Sequence, residues 1–126
     1  MAHRKWIAAG AVSALLGVAI GAFGAHALEL PERYAGTYDT GVEYHLIHAL
    51  GMIAASLAAA HVRRPRLAGW AAALFAVGTV LFSGSLYALS ITEISAFGAV
   101  APIGGASFLA GWALLAWSCL AGGGKP

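Results

Sequence analysis

The sequence predicts an all-α integral membrane protein, an antiparallel bundle of four transmembrane helices with both termini in the cytoplasm. Three observations predict it. Apolar residues make up 60% of the 126-residue chain and charged residues only 10%, which leaves too little polar surface to wrap a soluble domain of this size. Four apolar stretches each approach or exceed the roughly 20 residues that a helix needs to cross about 30 Å of hydrocarbon. The charges between them are sorted by sign: Glu29, Glu32, Asp39 and Glu43 share one gap and Glu93 lies in another, whereas Arg4, Lys5, Arg63, Arg64, Arg66 and Lys125 occupy the remaining ends. Only Arg33 breaks the separation.

The first span is expected over residues 6–28, the second over 38–61, the third over 67–91 and the fourth over 96–120, all in a single domain. Backbone groups in lipid must be satisfied within each segment, so the spans are helices rather than strands. Basic residues mark the cytoplasmic side, which turns both acidic connections outward. Trp6, Trp70 and Trp117 fall where a cytoplasmic aromatic belt is expected. A cleaved signal peptide competes for the first stretch, because MAHRK resembles a basic leader and Ala25-His26-Ala27 a cleavage site, but the apolar stretch is long for that role. Pro31 is expected to start a helical turn, and the segment around Tyr34 and Tyr38 to lie along the outer interface or form an ordered loop.

Small residues dominate the spans. Gly17 and Gly21 form G-x-x-x-G, Ala25 continues the row, and Ala54 and Ala58 repeat the spacing, so close helix packing is expected rather than a wide aqueous pore. The basic residues are too few and scattered to form a nucleic-acid groove. Lone Cys119 has no disulfide partner and reads as a small apolar residue.

The polar residues inside the spans carry the functional signal. Tyr38, Gly41, His45, His48, Met52, Ala55 and Ala59 recur at spacings of three and four, which puts them on one inward stripe of the second helix. His26 closes the outward end of the first span, Ser83, Ser85 and Tyr87 lie in the outward third of the third, and Pro102 sits about two turns inside the fourth. There Pro102 would free the carbonyl of Gly98 and kink the helix. Two readings of this cluster compete. One has the polar groups bonding helix to helix, a contribution that averages only about 0.6 kcal/mol per bond. The other treats intramembrane ionisable residues as a binding site for a ligand, a metal or a proton.

His45, His48 and Met52 on one helical face form a ligand set suited to copper(I) or haem iron. Zinc fits less well without cysteine and would need a third ligand such as His26. Glu43 projects roughly 200° away from His45 and serves better as an orienting or interfacial charge. Ser83-Gly84-Ser85 near a histidine suggests a serine nucleophile, yet serines in membrane helices usually bond their own backbone and no acid is placed to orient an imidazole. A non-enzymatic role is therefore expected.

The motifs GAFGAHAL (residues 21–28), TGVEYHLIHALG (40–51), LFSGSLYAL (81–89) and APIGGASFLAGW (101–112) resemble the family called domain of unknown function 423. That is the YgdD-like group of small inner-membrane proteins, whose eukaryotic relatives are called transmembrane protein 256. The resemblance spans nearly the whole chain and implies four transmembrane helices, with no established reaction. Its pattern falls on His26, Tyr44, His45, His48, Ser83, Gly84, Ser85, Tyr87, Pro102 and Gly105. The expectation is a binding or accessory component whose His/Ser/Tyr cluster recognises a lipid, quinone, haem or partner helix. The alternatives are a metal- or haem-binding redox component using His45, His48 and Met52, and a proton-coupled transporter of small solutes. The expected partners are membrane lipid and further protein chains in a homo-oligomer or larger membrane complex, and no nucleic acid.

Overall fold

Every regular element among the residues that the computed structural model describes, 2–121, is a helix. Helix α1 covers Ala2–His26, α2 Glu32–Ala58, α3 Pro65–Gly78, α4 Gly84–Thr92 and α5 Ala101–Leu120. A π-helical turn, Thr79–Ser83, joins α3 and α4, and a 3-10 turn, Ser95–Ala99, leads into α5. Lys125, expected at a basic C-terminal end, lies outside the described residues.

Two prolines explain where the observed elements depart from the expected ones. Helix α2 begins at Glu32 because Pro31, with φ −55° and ψ 145°, ends the extended connection and presents its carbonyl to Tyr34 and Ala35. The region before Tyr38 is thus not a loop; it is the first turns of a helix roughly 40 Å long. Pro102 stands in the first turn of α5 rather than two turns inside it. A helix leaves its first N–H groups unpaired in any case, so proline there starts the helix without a kink and takes no bond from the Gly98 carbonyl.

The side-chain sizes are arranged for a lipid solvent. Buried positions go largely to Ala, Gly and Ser, with Phe75, Met52 and Phe108 at the centre, while Leu15, Leu50, Val80, Ile103, Leu109 and Leu120 are exposed. Along α1, Gly10, Gly17, Gly21 and Gly24 face Ile53, Leu46, Val42 and Tyr38 of α2, in reverse order along the chain. These two helices therefore run in opposite directions. The packed row ends on Gly24 and not on the expected Ala25, which is exposed, and on α2 and its C-terminal cap it is Ala55 and Ala59 that are buried while Ala54 is exposed. The 3.6-residue turn rotates a strict four-residue row off the contact, so the seam alternates threes and fours.

The contact between α5 and the α3–α4 rod is tighter still. A Cβ at Gly104 would collide with the backbone of Leu81 and Phe82 in the π turn, and one at Gly78 would enter the Phe108 ring. Side-chain donors reach backbone carbonyls of neighbouring helices: Tyr38 Oη to Ile20 at 2.6 Å, Ser83 Oγ to Gly41 at 2.7 Å, Ser107 Oγ to Leu74 at 2.7 Å and, longer, Ser90 Oγ to Tyr34 at 3.4 Å. Helix α1 leans on α2 and scarcely touches α3, which leaves a lateral cleft.

Among the described residues three helical stretches are long and apolar enough to cross a membrane: His3–His26, Pro65–Thr92 and Ser95–Leu120. Helix α2 has the length but carries Glu32, Arg33, Asp39 and Glu43 in its first twelve residues. Gly104→Ala is expected to destabilise the protein by about 1–3 kcal/mol, because the rigid π-turn backbone has to move. Gly69→Ala, where nothing lies within contact of an added Cβ, should stabilise α3 by about 0.5–1 kcal/mol through helix propensity. Unfolding in mixed detergent micelles measures both.

Candidate functional site

All seven residues of the α2 stripe, Tyr38, Gly41, His45, His48, Met52, Ala55 and Ala59, are buried. The two imidazoles nevertheless turn to different neighbours. His45 Nδ1 lies 2.8 Å from the Tyr87 hydroxyl of α4, and Nε2 lies 3.1 Å from the Ser13 hydroxyl of α1. Each member of this row can both donate and accept a hydrogen bond. His48 is bound differently: Trp112 Nε1–H donates to its Nε2 at 2.9 Å, and its Nδ1 lies 2.7 Å from the Tyr44 carbonyl. Indole only donates and a carbonyl only accepts, so the partners assign His48 as the neutral tautomer with its proton on Nδ1. Its ring also lies flat on Phe108, centroids 3.5 Å apart and planes within 6°.

The π turn sets this geometry from the third span. The Gly84 N–H bonds the carbonyl of Thr79, five residues back, and the extra residue turns everything after it by about 100° relative to an uninterrupted α-helix. Ser83 then faces Gly41, and Tyr87 faces His45.

The expected cluster is thereby divided. His45, Tyr87 and Met52 line a groove of about 690 Å³ with Ser13, Val12, Leu16, Thr79 and Val80. Tyr44, His48 and Pro102 line a second groove, of about 640 Å³, between α2 and α5, walled by Phe82, Phe108 and Trp112 and edged by the exposed Glu43. Ser83 is enclosed between α2 and α4, and Ser85 bonds the carbonyl of Phe82, three residues back on its own rod, at 2.9 Å. His26 is exposed at the end of α1 and lines neither groove.

The divided arrangement bears on the possible chemistry. All four imidazole nitrogens of His45 and His48 are engaged, and the rings line separate grooves. A metal bound by His45, His48 and Met52 would have to break hydrogen bonds and bring the two rings together. Among the described residues no three His, Cys, Asp or Glu side chains are grouped to hold a metal ion. Ser83 and Ser85 both bond carbonyls, so neither faces an imidazole. Ser13 lies within reach of His45, as a nucleophile and base would, but it sits in the middle of α1, where backbone N–H groups are spent within the helix and cannot serve an oxyanion.

Ser13, Phe108 and Trp112 did not stand out in the sequence. Two of them carried a signal: Ser13 is the only polar residue between Lys5 and His26, and Trp112 is set well inside the fourth apolar stretch, away from the interface, where an indole N–H needs a partner.

The sequence model of a family described as "Protein of unknown function (DUF423)" matches residues 20–105. The chain belongs to this family. It is 45% identical over 117 residues to the UPF0382 membrane protein YwdK of Bacillus subtilis, covering 89% of this chain and 93% of that one. It is 42% identical over 118 residues to the UPF0382 inner membrane protein YgdD of Escherichia coli, covering 91% and 88%. Staphylococcus haemolyticus SH2409, another UPF0382 membrane protein, is 40% identical over 115 residues, with coverage of 89% and 92%. No solved structure matches the chain. With these relatives and three apolar helices able to span a bilayer, this member of the DUF423 family is a multi-pass protein of the bacterial inner membrane.

The Trp112–His48 bond should be measurable as a coupling. A double-mutant cycle with His48→Leu and Trp112→Phe is expected to give an interaction energy of about 0.6 to 1.7 kcal/mol, the range of membrane-embedded hydrogen bonds. The control pair, His45→Leu with Trp112→Phe, should be additive because those residues share no partner.

Proposed function

We propose that the protein is a non-enzymatic binding component of the membrane, and that the groove between α1 and the α3–α4 rod takes the apolar chain of a membrane amphiphile. One observation carries this reading: a groove of about 690 Å³, lined mostly by aliphatic side chains, with the Ser13–His45–Tyr87 row as a hydrogen-bonding point on its wall. Ligand sites of this kind are mostly apolar with a few placed polar groups. The rim residues Val12, Leu16 and Val80 are exposed, so a lipid chain can enter sideways. A carbonyl or hydroxyl on the ligand would exchange hydrogen bonds with Ser13. Lys5 at one end of the groove would attract an anionic headgroup.

In the same proposal α2 is the fourth span, and the bundle crosses up and down with both termini in the cytoplasm. The sign segregation of the charges and the burial of the histidine stripe support this: α2 hides its polar face against protein, so its modest hydropathy is no obstacle to spanning.

A Cys119→Ala protein carrying a single new cysteine tests the topology with an impermeant maleimide. Glu93→Cys should label in intact cells and Arg63→Cys only after lysis; the reverse pattern would invert the topology. For the groove, Val12→Trp fills the cleft at an exposed position and should leave folding intact. Lipid extraction and mass spectrometry of the purified proteins should find a stoichiometric amphiphile on the wild type and little on this variant. Equal retention by the two proteins would sink the groove reading.

A further inference from the structure

A separate pocket lies at the arginine-rich end of the bundle, away from the acids. It has a volume of about 480 Å³ and sits between the start of α1 (His3, Trp6), the end of α2 (Ser56, Ala59) and the start of α3 (Pro65, Arg66, Gly69, Trp70). None of its lining residues is acidic. All five carboxylates of the sequence lie elsewhere: Glu29, Glu32, Asp39 and Glu43 in or beside the first turns of α2, and Glu93 just after α4. Those two places adjoin each other, since the Ser90 hydroxyl approaches the Tyr34 carbonyl at 3.4 Å.

Ser56 is the anomaly. It is 3% exposed, it lines the pocket, and its hydroxyl has no hydrogen-bond partner among the described residues. A serine within a helix ordinarily bonds the carbonyl one turn back, as Ser90 does with Leu86 at 2.8 Å. A buried hydroxyl left unpaired is unfavourable, and a ligand bearing an acceptor would remove the penalty. The rest of the pocket is suited to an anion. Helix α3, fourteen residues long, starts here with no side chain capping its N-terminus, and the partial positive charge of a helix N-terminus favours anions. Arg66 adds a guanidinium, which matches phosphate geometry, and Trp6 and Trp70 are of the type that gathers at a bilayer surface.

We infer that this pocket binds a phosphate group, with Ser56 Oγ donating to a phosphate oxygen and with Arg66 and the α3 N-terminus supplying the positive charge. The headgroup of an anionic phospholipid and free inorganic phosphate share this chemistry. The inference stands apart from the α1–α3 groove: Val12→Trp fills the groove and should leave phosphate binding unchanged, so either reading can fail alone.

The test is thermal unfolding of the full-length protein in detergent. Added phosphatidylglycerol is compared with phosphatidylcholine, whose phosphate is neutralised by choline, and inorganic phosphate with chloride at equal ionic strength. A ligand that binds only the folded state raises the midpoint by mass action. The expected result is a rise for the wild type with phosphatidylglycerol. A response to phosphatidylglycerol alone assigns the site to a lipid headgroup, and a response to inorganic phosphate as well assigns it to phosphate in general. Arg66→Gln should weaken the response by about tenfold in apparent affinity. Ser56→Ala should unfold at the same or a higher temperature without ligand, because the unpaired hydroxyl is gone, and should lose the response. The inference is overturned if the wild type responds to neither anion or if folded Ser56→Ala keeps the full response. It is also overturned if Ser56→Ala unfolds earlier without ligand, since its hydroxyl would then already be paired inside the protein.

Discussion

The need to hydrogen-bond two imidazoles out of reach of water organises this bundle. His45 and His48 sit on the buried face of α2, and each has two ring nitrogens that want partners. The backbone of α2 supplies one, at Tyr44; the others come from Ser13 on α1, Tyr87 on α4 and Trp112 on α5. Helix α2 thereby becomes the element against which the remaining rods are registered. In lipid, apolar side chains gain little by meeting one another, so hydrogen bonds and close packing decide which faces meet.

Close packing in turn depends on where side chains are missing. Gly10, Gly17, Gly21 and Gly24 let α1 lie directly on α2, and Gly104 brings α5 onto the backbone of the π turn. These contacts join α1 to α2 and α5 to α3, and they leave α1 away from α5. A cleft follows on each side, one between α1 and the α3–α4 rod and one between α2 and α5. The aliphatic groove and the aromatic groove are products of the same uneven pairing.

Much of the fold and part of the site were legible in the sequence. The inward stripe from Tyr38 to Ala59 was readable because a buried helical face has to repeat at threes and fours. Tyr87 and His45 stood at similar depths in their spans. Their actual contact was not readable, because one inserted residue at Thr79–Ser83 resets the rotation of α4 and no local signal announced it. Pro102 shows the converse limit: proline marks either a kink or a beginning, and only the 3-10 turn at Ser95–Ala99 makes it a beginning.

The sequence by itself determined that the chain is helical and belongs in a membrane, where its charged ends lie, and that α2 turns two histidines inward. Composition, charge sign and helical period are local quantities, fixed before any helix meets another. Tertiary structure decided that His45 and His48 part ways toward different grooves, that His26 stays apart from both, and that Ser13 and Trp112 join the site. It also left Ser56 buried without a partner among the described residues. Those outcomes depend on the rotation and pairing of whole helices, which are set by glycine contacts and by a single π turn.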